Sequence, residues 1–255
     1  MTNPTALVTG ATAGIGNAFA RELAKRGYDL VLAARDIDRL DALADELRAR
    51  HGITSTVVGA DLADEQGLAS VSQAIEDHRI DLLVNNAGSS LGRPFGETDL
   101  ASETHQLDLL VRAPLHLTGV ALAVMRERGS GQIINVSSVA GFTPRGTYSA
   151  HKAWLTNFSQ WLNFQYAAEG VTTMALCPGF VRTEFHQRMG VDATEIPRWM
   201  WLRADRLVTA ALSDLDKGKA VSVPSVRYKV LVALARYTPP RLVARVAKRG
   251  RKVTE

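Results

Sequence analysis

Thr5-Ala6-Leu7-Val8-Thr9 is a short apolar run, and Gly10-Ala11-Thr12-Ala13-Gly14-Ile15-Gly16 follows it directly. Helical spacing then places Phe19, Leu23 and Ala24 on one face. A buried strand, a glycine-rich turn and a helix in that order let backbone N–H groups at the helix start approach a pyrophosphate with no Cβ in the way. The spacing is Gly-x-x-x-Gly-x-Gly, not the six-residue Gly-x-Gly-x-x-Gly form. Its strand-to-helix setting makes Gly10, Thr12, Gly14, Ile15 and Gly16 candidate dinucleotide contacts.

Working outward, Tyr28 to Ala34 is a second strand, followed by Arg35. An acid at that position would accept a hydrogen bond from a ribose 2′-hydroxyl, whereas an arginine meets a 2′-phosphate. Arg35 therefore points to NADP(H), with NAD(H) as the second choice because Asp36 follows and Ala13 offers no second cation. Ile37, Leu40, Leu43, Ala44 and Leu47 mark a helix, and Ile53 to Gly59 a third strand ending near Asp61-Leu62, where the carboxylate suits an adenine amino group. Ile80 to Val84 is a fourth strand, closing on Asn85-Asn86-Ala87-Gly88. Alternation at this rhythm predicts an α/β fold with a doubly wound parallel sheet, and ligands in such sheets bind beyond the carboxyl ends of the strands. Asn86, Ala87 and Gly88 belong to that rim.

Gln132 to Ser138 reads as a fifth strand, ending at the same rim. Ten residues on, Tyr148-Ser149-Ala150-His151-Lys152 opens a long helix. Residues four apart share a helical face, so the lysine ammonium is expected beneath the phenol. Bringing a phenol from near pKa 10 toward 7 takes roughly 4 kcal/mol, which the lysine and a cationic nicotinamide ring would supply together. Ser138 and Tyr148 can converge on one carbonyl oxygen, the serine orienting it and the tyrosine exchanging its proton. Val171 to Leu176 is a sixth strand, and Pro178-Gly179 forces a turn after it. Val181, Thr183 and the neighbouring backbone are then candidates to meet a nicotinamide carboxamide. Cys177, beside the turn, has no activating neighbour and reads as packing.

The chain of 255 residues, 46% hydrophobic, suffices for one large domain over residues 1–224, followed by a basic extension over 225–255. A single cysteine excludes an internal disulfide and suits the cytoplasm. Residues 1 to 9 do not resemble a signal peptide, and no apolar run approaches the roughly 18 residues that span a bilayer. The six histidines show neither His-x-His nor His-Glu-x-x-His, so no metal is expected. From Arg227 to Glu255 nine Lys or Arg stand against one acid, a net of +8, which leaves the preceding 226 residues at −4. Two short amphipathic helices broken by Pro239-Pro240 are expected there, suited to packing on the domain or another subunit, or to peripheral contact with a membrane surface. No recognised nucleic-acid motif accompanies the charge, so no nucleic acid is expected.

Taken together, Thr9-Gly10-x-x-x-Gly14-Ile15-Gly16, Asp61, Asn85-Asn86-Ala87-Gly88, Ser138, Tyr148-x-x-x-Lys152 and Pro178-Gly179 resemble the short-chain dehydrogenase/reductase family over residues 5 to about 224. The resemblance implies a seven-stranded sheet of order 3-2-1-4-5-6-7 and hydride transfer between a nicotinamide and a carbonyl or carbinol carbon. It implies Tyr148 as acid or base, Ser138 as partner of the substrate oxygen, and Lys152 as pKa lever and nicotinamide-ribose ligand. It also implies a homodimer or homotetramer paired through residues 103–128 and 148–169. Two departures stand out. Leu110 occupies the place of an asparagine that in the family helps hold a relay water, which motivates a competing reading as a catalytically weak NADP-binding regulatory protein. Asp108, two residues away, is not expected to substitute. The stretch between Ser138 and Tyr148 is also about three residues shorter than in many members, which shifts Phe142 and Arg145. The segment from Phe180 to about Asp205 covers the substrate in the family. Here it holds Phe185, Met189, Trp199, Met200 and Trp201, which suits a hydrophobic carbonyl or alcohol substrate.

Overall fold

The structure, a computed structural model, describes residues 3–184 and 196–238. Seven parallel strands form one sheet in the order β3-β2-β1-β4-β5-β6-β7. They are β1 (Thr5–Thr9), β2 (Asp29–Ala34), β3 (Ser55–Gly59), β4 (Leu82–Asn85), β5 (Gly131–Val136), β6 (Val171–Leu176) and β7 (Val221–Ser222). The chain reverses its direction of travel across the sheet between β1 and β4, and the ligand crevice of an open α/β sheet lies at such a point.

Both sheet faces are covered, and the alternation of the strands shows how. Ala6 and Val8 face α1 (Gly14–Lys25), α2 (Ile37–His51) and α7 (Ala204–Leu215), in one apolar cluster with Phe19, Leu40 and Val208. Leu7, between them, faces α3 (Glu65–Asp77) and α5 (Ala113–Glu127), in a second cluster with Val71 and Leu117. Each fully buried leucine or phenylalanine contributes about 1.5–3 kcal/mol, so both layers are needed to hold the sheet. On the α3–α5 side, α6 (Thr147–Tyr166) packs along β6. A final helix, α8 (Val226–Tyr237), follows β7.

The segment before α5 departs from ideal geometry. α4 (Leu100–Leu107) runs into a wider π-helical turn, Asp108–Arg112, and then into α5. The whole stretch Leu100–Glu127 is long and apolar enough, by length and composition, to cross a membrane, contrary to the sequence expectation. Its apolarity has a local cause: Ala113, Leu117, Ala121 and Met125 are fully buried against the sheet. The second expected tail helix, with Leu242, Val243 and Val246, lies outside the described residues, as do Phe185, His186 and Met189.

Candidate active site

The glycine turn is built by mutual exclusion of side chains. Gly10 and Gly14 take left-handed φ values of 65° and 58°, open to glycine without strain. A Cβ on Gly16 would stand 2.3 Å from the Gly10 carbonyl oxygen and 2.5 Å from Asn86 Nδ2. Asn86 braces the turn: its amide donates to Thr9 O at 2.8 Å, while the Asn86 and Ala87 backbone N–H groups donate to Thr9 Oγ1. β4 thereby holds β1's end in place. Helices α2, α3 and α4 have their first turns capped by the carboxylates of Asp36, Asp64 and Asp99. α1 begins after Ala13 with no side-chain cap and no acid in its first turn, so its N–H groups and positive dipole end remain for an anion.

At the far end of the turn, Arg35 approaches Asp61 at 3.5 Å, and Asp61 also accepts from Ala63 N. The sequence reading missed Arg39. One turn into α2, its guanidinium donates to the Thr12 carbonyl at 3.0 Å and to Glu184 at 2.9 Å, supplying the second cation that Ala13 does not. Asp36, by capping α2 through Arg39 N, orients that first turn; the signal was the Arg35–Asp36–Arg39 spacing.

Across the crevice, β5 stops at Val136, two residues earlier than expected, because Ser138 leaves the sheet to cap a tight turn, Val139–Phe142, through Ala140 N. From there Ser138 stands beside Tyr148. Lys152 Nζ lies 5.8 Å from the Tyr148 ring centroid and donates to Val136 O at 2.7 Å. Burial pushes Tyr148 up to about 12, with nearby Ser138 pulling the other way, and burial brings Lys152 down to about 8. Both groups are driven toward their neutral forms, the general effect of desolvation. Cys177, fully buried beside Thr156, has its thiol pushed up to about 11 by burial, which leaves it inert packing.

Leu110 lies in the π turn, fully buried; a Cβ on Gly88 would meet its Cδ2 at 3.0 Å and Lys152 Nζ at 3.9 Å. The apolar side chain thus stands in the lysine's own surroundings. Asp108 is paired with Arg112 at 2.8 Å and does not substitute.

The turn after β6 closes the crevice. Thr183 rests against Gly14, where a Cβ would come within 3.1 Å of it. Tyr228, from α8, lies over Gly179; its hydroxyl accepts from Phe180 N at 3.0 Å and donates to Met200 O at 2.8 Å. Nothing in the Pro178-Gly179 spacing signalled this contact from 48 residues away.

These elements enclose a cleft of about 1700 Å³. Gly10, Thr12, Gly14, Ile15, Arg35, Asp61, Leu62, Asn86, Ala87, Gly88, Ser138, Tyr148, Lys152, Pro178, Gly179, Val181 and Thr183 all line it, whereas Gly16 lies beneath it. Ordinary small-ligand clefts hold about 300–1000 Å³, so this one has room for a dinucleotide and a second molecule. The glycine cradle, the uncapped start of α1 and the cations at Arg35 and Arg39 fit a phosphorylated dinucleotide.

Comparison with known proteins agrees with this geometry. The short chain dehydrogenase family model matches residues 4–193. Among relatives, the very-long-chain 3-oxoacyl-CoA reductase of Anas platyrhynchos is 34% identical over 187 residues, covering 70% of this chain and 60% of that longer protein. A short-chain dehydrogenase from Sphingobium yanoikuyae in complex with NADPH superposes with a TM-score of 0.84 at 36% identity, over 90% of this chain and 92% of that one. The bulky-bulky ketone specific alcohol dehydrogenase from Comamonas testosteroni superposes at 0.81 with 33% identity, over 92% and 93%. The chain belongs to the short-chain dehydrogenase family, whose members are NAD(P)-dependent oxidoreductases acting on CH–OH groups.

Proposed function

We propose that the protein is an NADP(H)-dependent oxidoreductase that interconverts a carbonyl and a secondary alcohol on a hydrophobic substrate. The observation that carries this is Tyr148, which lies on the cleft wall together with Ser138 and one helical turn from Lys152. The nicotinamide, when bound, supplies or accepts the hydride. The chain's own groups handle the proton and the alignment. Ser138 orients the substrate oxygen, and Tyr148 gives it a proton or takes one away. With its pKa pushed up to about 12, Tyr148 is protonated at neutral pH, the form required to donate to a carbonyl oxygen during reduction. Lys152, brought down to about 8, is still mostly cationic at pH 7 and is placed to hold the nicotinamide ribose. Asn86, Ala87, Gly88, Pro178, Gly179, Val181 and Thr183 frame the nicotinamide half; Gly10, Thr12, Gly14, Ile15, Asp61 and Leu62 frame the rest. Gly16 supports the turn from below.

Arg35 and Arg39 favour a 2′-phosphate over a free hydroxyl, and the NADPH-bound relative supports the same choice. A hydrophobic substrate is supported by the apolar far side of the cleft, where Phe142, Met200, Leu231 and Val232 gather. The relative specific for bulky ketones supports it as well. Exposed Leu107, Leu115, Trp161 and Phe164 on α4, α5 and α6 support pairing of copies through those helices, as a homodimer or homotetramer. We assign the protein to the cytoplasm, where its single buried thiol stays reduced.

A second reading, a regulatory NADP-binding protein with weak catalysis, is favoured by Leu110, which offers no polar atom near Lys152. Turnover of a panel of bulky ketones with NADPH separates the two. The enzyme reading expects turnover that falls by roughly 10²–10⁴-fold in Tyr148→Phe with NADPH affinity kept. Tight NADPH binding without turnover on any ketone or alcohol would favour the regulatory reading.

A further inference from the structure

We infer that α8 docks on an anionic lipid surface and carries the substrate cleft's mouth to it. This rests on the reading of the cleft as a substrate site. At about 100° per residue, the helix Val226–Tyr237 has apolar residues on two opposite faces. Tyr228, Leu231, Val232 and Ala235 form the inner face and line the cleft, with Tyr228 only 2% exposed. Val226, Val230, Leu234 and Tyr237 form the outer face, at spacings of four, four and three, and are 77%, 53%, 59% and 90% exposed. Between the faces lie cations: Arg227 on one border, Lys229 and Arg236 on the other, with no acid anywhere in the helix.

An exposed apolar stripe alone says only that something covers it; the charge around it selects what. The helix itself carries Arg227, Lys229 and Arg236 and no acid. A second copy meeting this face across a two-fold axis would set the same cations against themselves, an unfavourable approach for like charges. A bilayer bearing anionic headgroups offers the opposite charge to the two basic borders and hydrocarbon to the stripe between them. Leu231, exposed at the edge of the inner face, and Arg236, stacked 4.8 Å above the Phe142 ring, both stand at the cleft's margin. A hydrophobic ketone dissolved in the bilayer therefore enters the cleft along α8 without crossing water.

Co-sedimentation of the full chain with vesicles tests this, using phosphatidylcholine alone and an equal mixture with phosphatidylserine. The protein is expected to pellet with the mixed vesicles, not with the neutral ones, and to be released by high salt. Val230→Glu with Leu234→Glu, both at exposed positions, should cut the bound fraction by at least about tenfold while NADPH binding, followed by its fluorescence, stays the same. Failure to pellet with anionic vesicles would overturn the inference, as would equal pelleting by the double variant. A change in oligomer size on sedimentation with no change in vesicle binding would assign the stripe to another copy of the chain and overturn it too. Turnover plays no part in this measurement, so an inactive protein would count against the enzymatic reading alone.

Discussion

Around Gly10 and Gly16 the cleft is made of backbone, pressed so close that a single Cβ would collide with a carbonyl. On the opposite side, at Phe142, Met200 and Tyr228, it is made of side chains brought from three separate segments. The first region reads a group common to all dinucleotides, and backbone N–H groups do this with fixed geometry. The second meets whatever the substrate is, and side chains can be exchanged there without disturbing the sheet. Between them stand half-buried Tyr148 and buried Lys152, on one helix and both displaced toward neutrality. A site that must hold an anion on one side and shelter proton transfer on the other needs both constructions.

The comparison breaks most sharply at Gly16. In Gly16→Ala the new Cβ would stand 2.3 Å from a backbone oxygen and 2.5 Å from Asn86 Nδ2, and neither can yield without moving the turn. Overpacking of this kind costs about 1–3 kcal/mol, which in binding terms is up to roughly 100-fold. NADPH affinity by fluorescence titration should fall by that order, with a lower melting temperature. Unchanged affinity would mean that the rim is more pliant than its packing indicates.

The border between the two regions can be probed at Lys152. Its pKa is about 8 in the fold against 10.5 for the free side chain, so the unfolded chain binds more protons between those values. Stability due to this group therefore rises with pH across that window, and below pH 8 the full cost of the buried cation is present. The shift, net of the hydrogen bond to Val136 O, corresponds to roughly 3 kcal/mol. Lys152→Met should thus be more stable than the parent at pH 7, with the advantage shrinking toward pH 10.5, while turnover is lost. Denaturant midpoints at the two pH values decide it; a variant less stable at both would show that the lysine serves the fold.

What the sequence disclosed follows the same division. β1 is legible because Ala6, Leu7 and Val8 form a short apolar run, and the Gly10–Gly16 turn because its glycine spacing is a local pattern, although the atoms that exclude a Cβ there come largely from Asn86, Ala87 and Thr183. Tyr148 and Lys152 were legible because helical spacing alone puts them on one face. The direction of their pKa shifts was not, since it depends on burial supplied by the whole fold rather than by the three residues between them. The π turn at Asp108–Arg112 keeps the same apolar pattern as a regular helix and left no mark. β7, only Val221–Ser222, is too short for a period and came from family resemblance alone. From the sequence Ser138 reads as the end of a strand, but its hydroxyl caps the next turn instead. Arg39 was hidden because a charge on a helix surface usually means solvent, and only the fold brings it to Thr12.

The smallest of these effects lies on the side-chain wall. Tyr228 joins α8 to the Pro178-Gly179 turn and to the Met200 segment through one hydroxyl with two partners. Tyr228→Phe keeps the ring that covers Gly179 and removes only those two bonds. The Phe180 N–H then loses this acceptor in a largely buried place, at a cost of about 1 kcal/mol. Because the glycine rim is held separately by Asn86 and Thr9, NADPH affinity should fall only through the nicotinamide half that the Pro178-Gly179 turn frames, by less than KM rises. The substrate side should loosen more, with KM for a bulky ketone rising several-fold and kcat nearly constant. If cofactor affinity fell in step with KM, the two sides of the cleft would be one mechanical unit, and the distinction between backbone rim and side-chain wall would have to be given up.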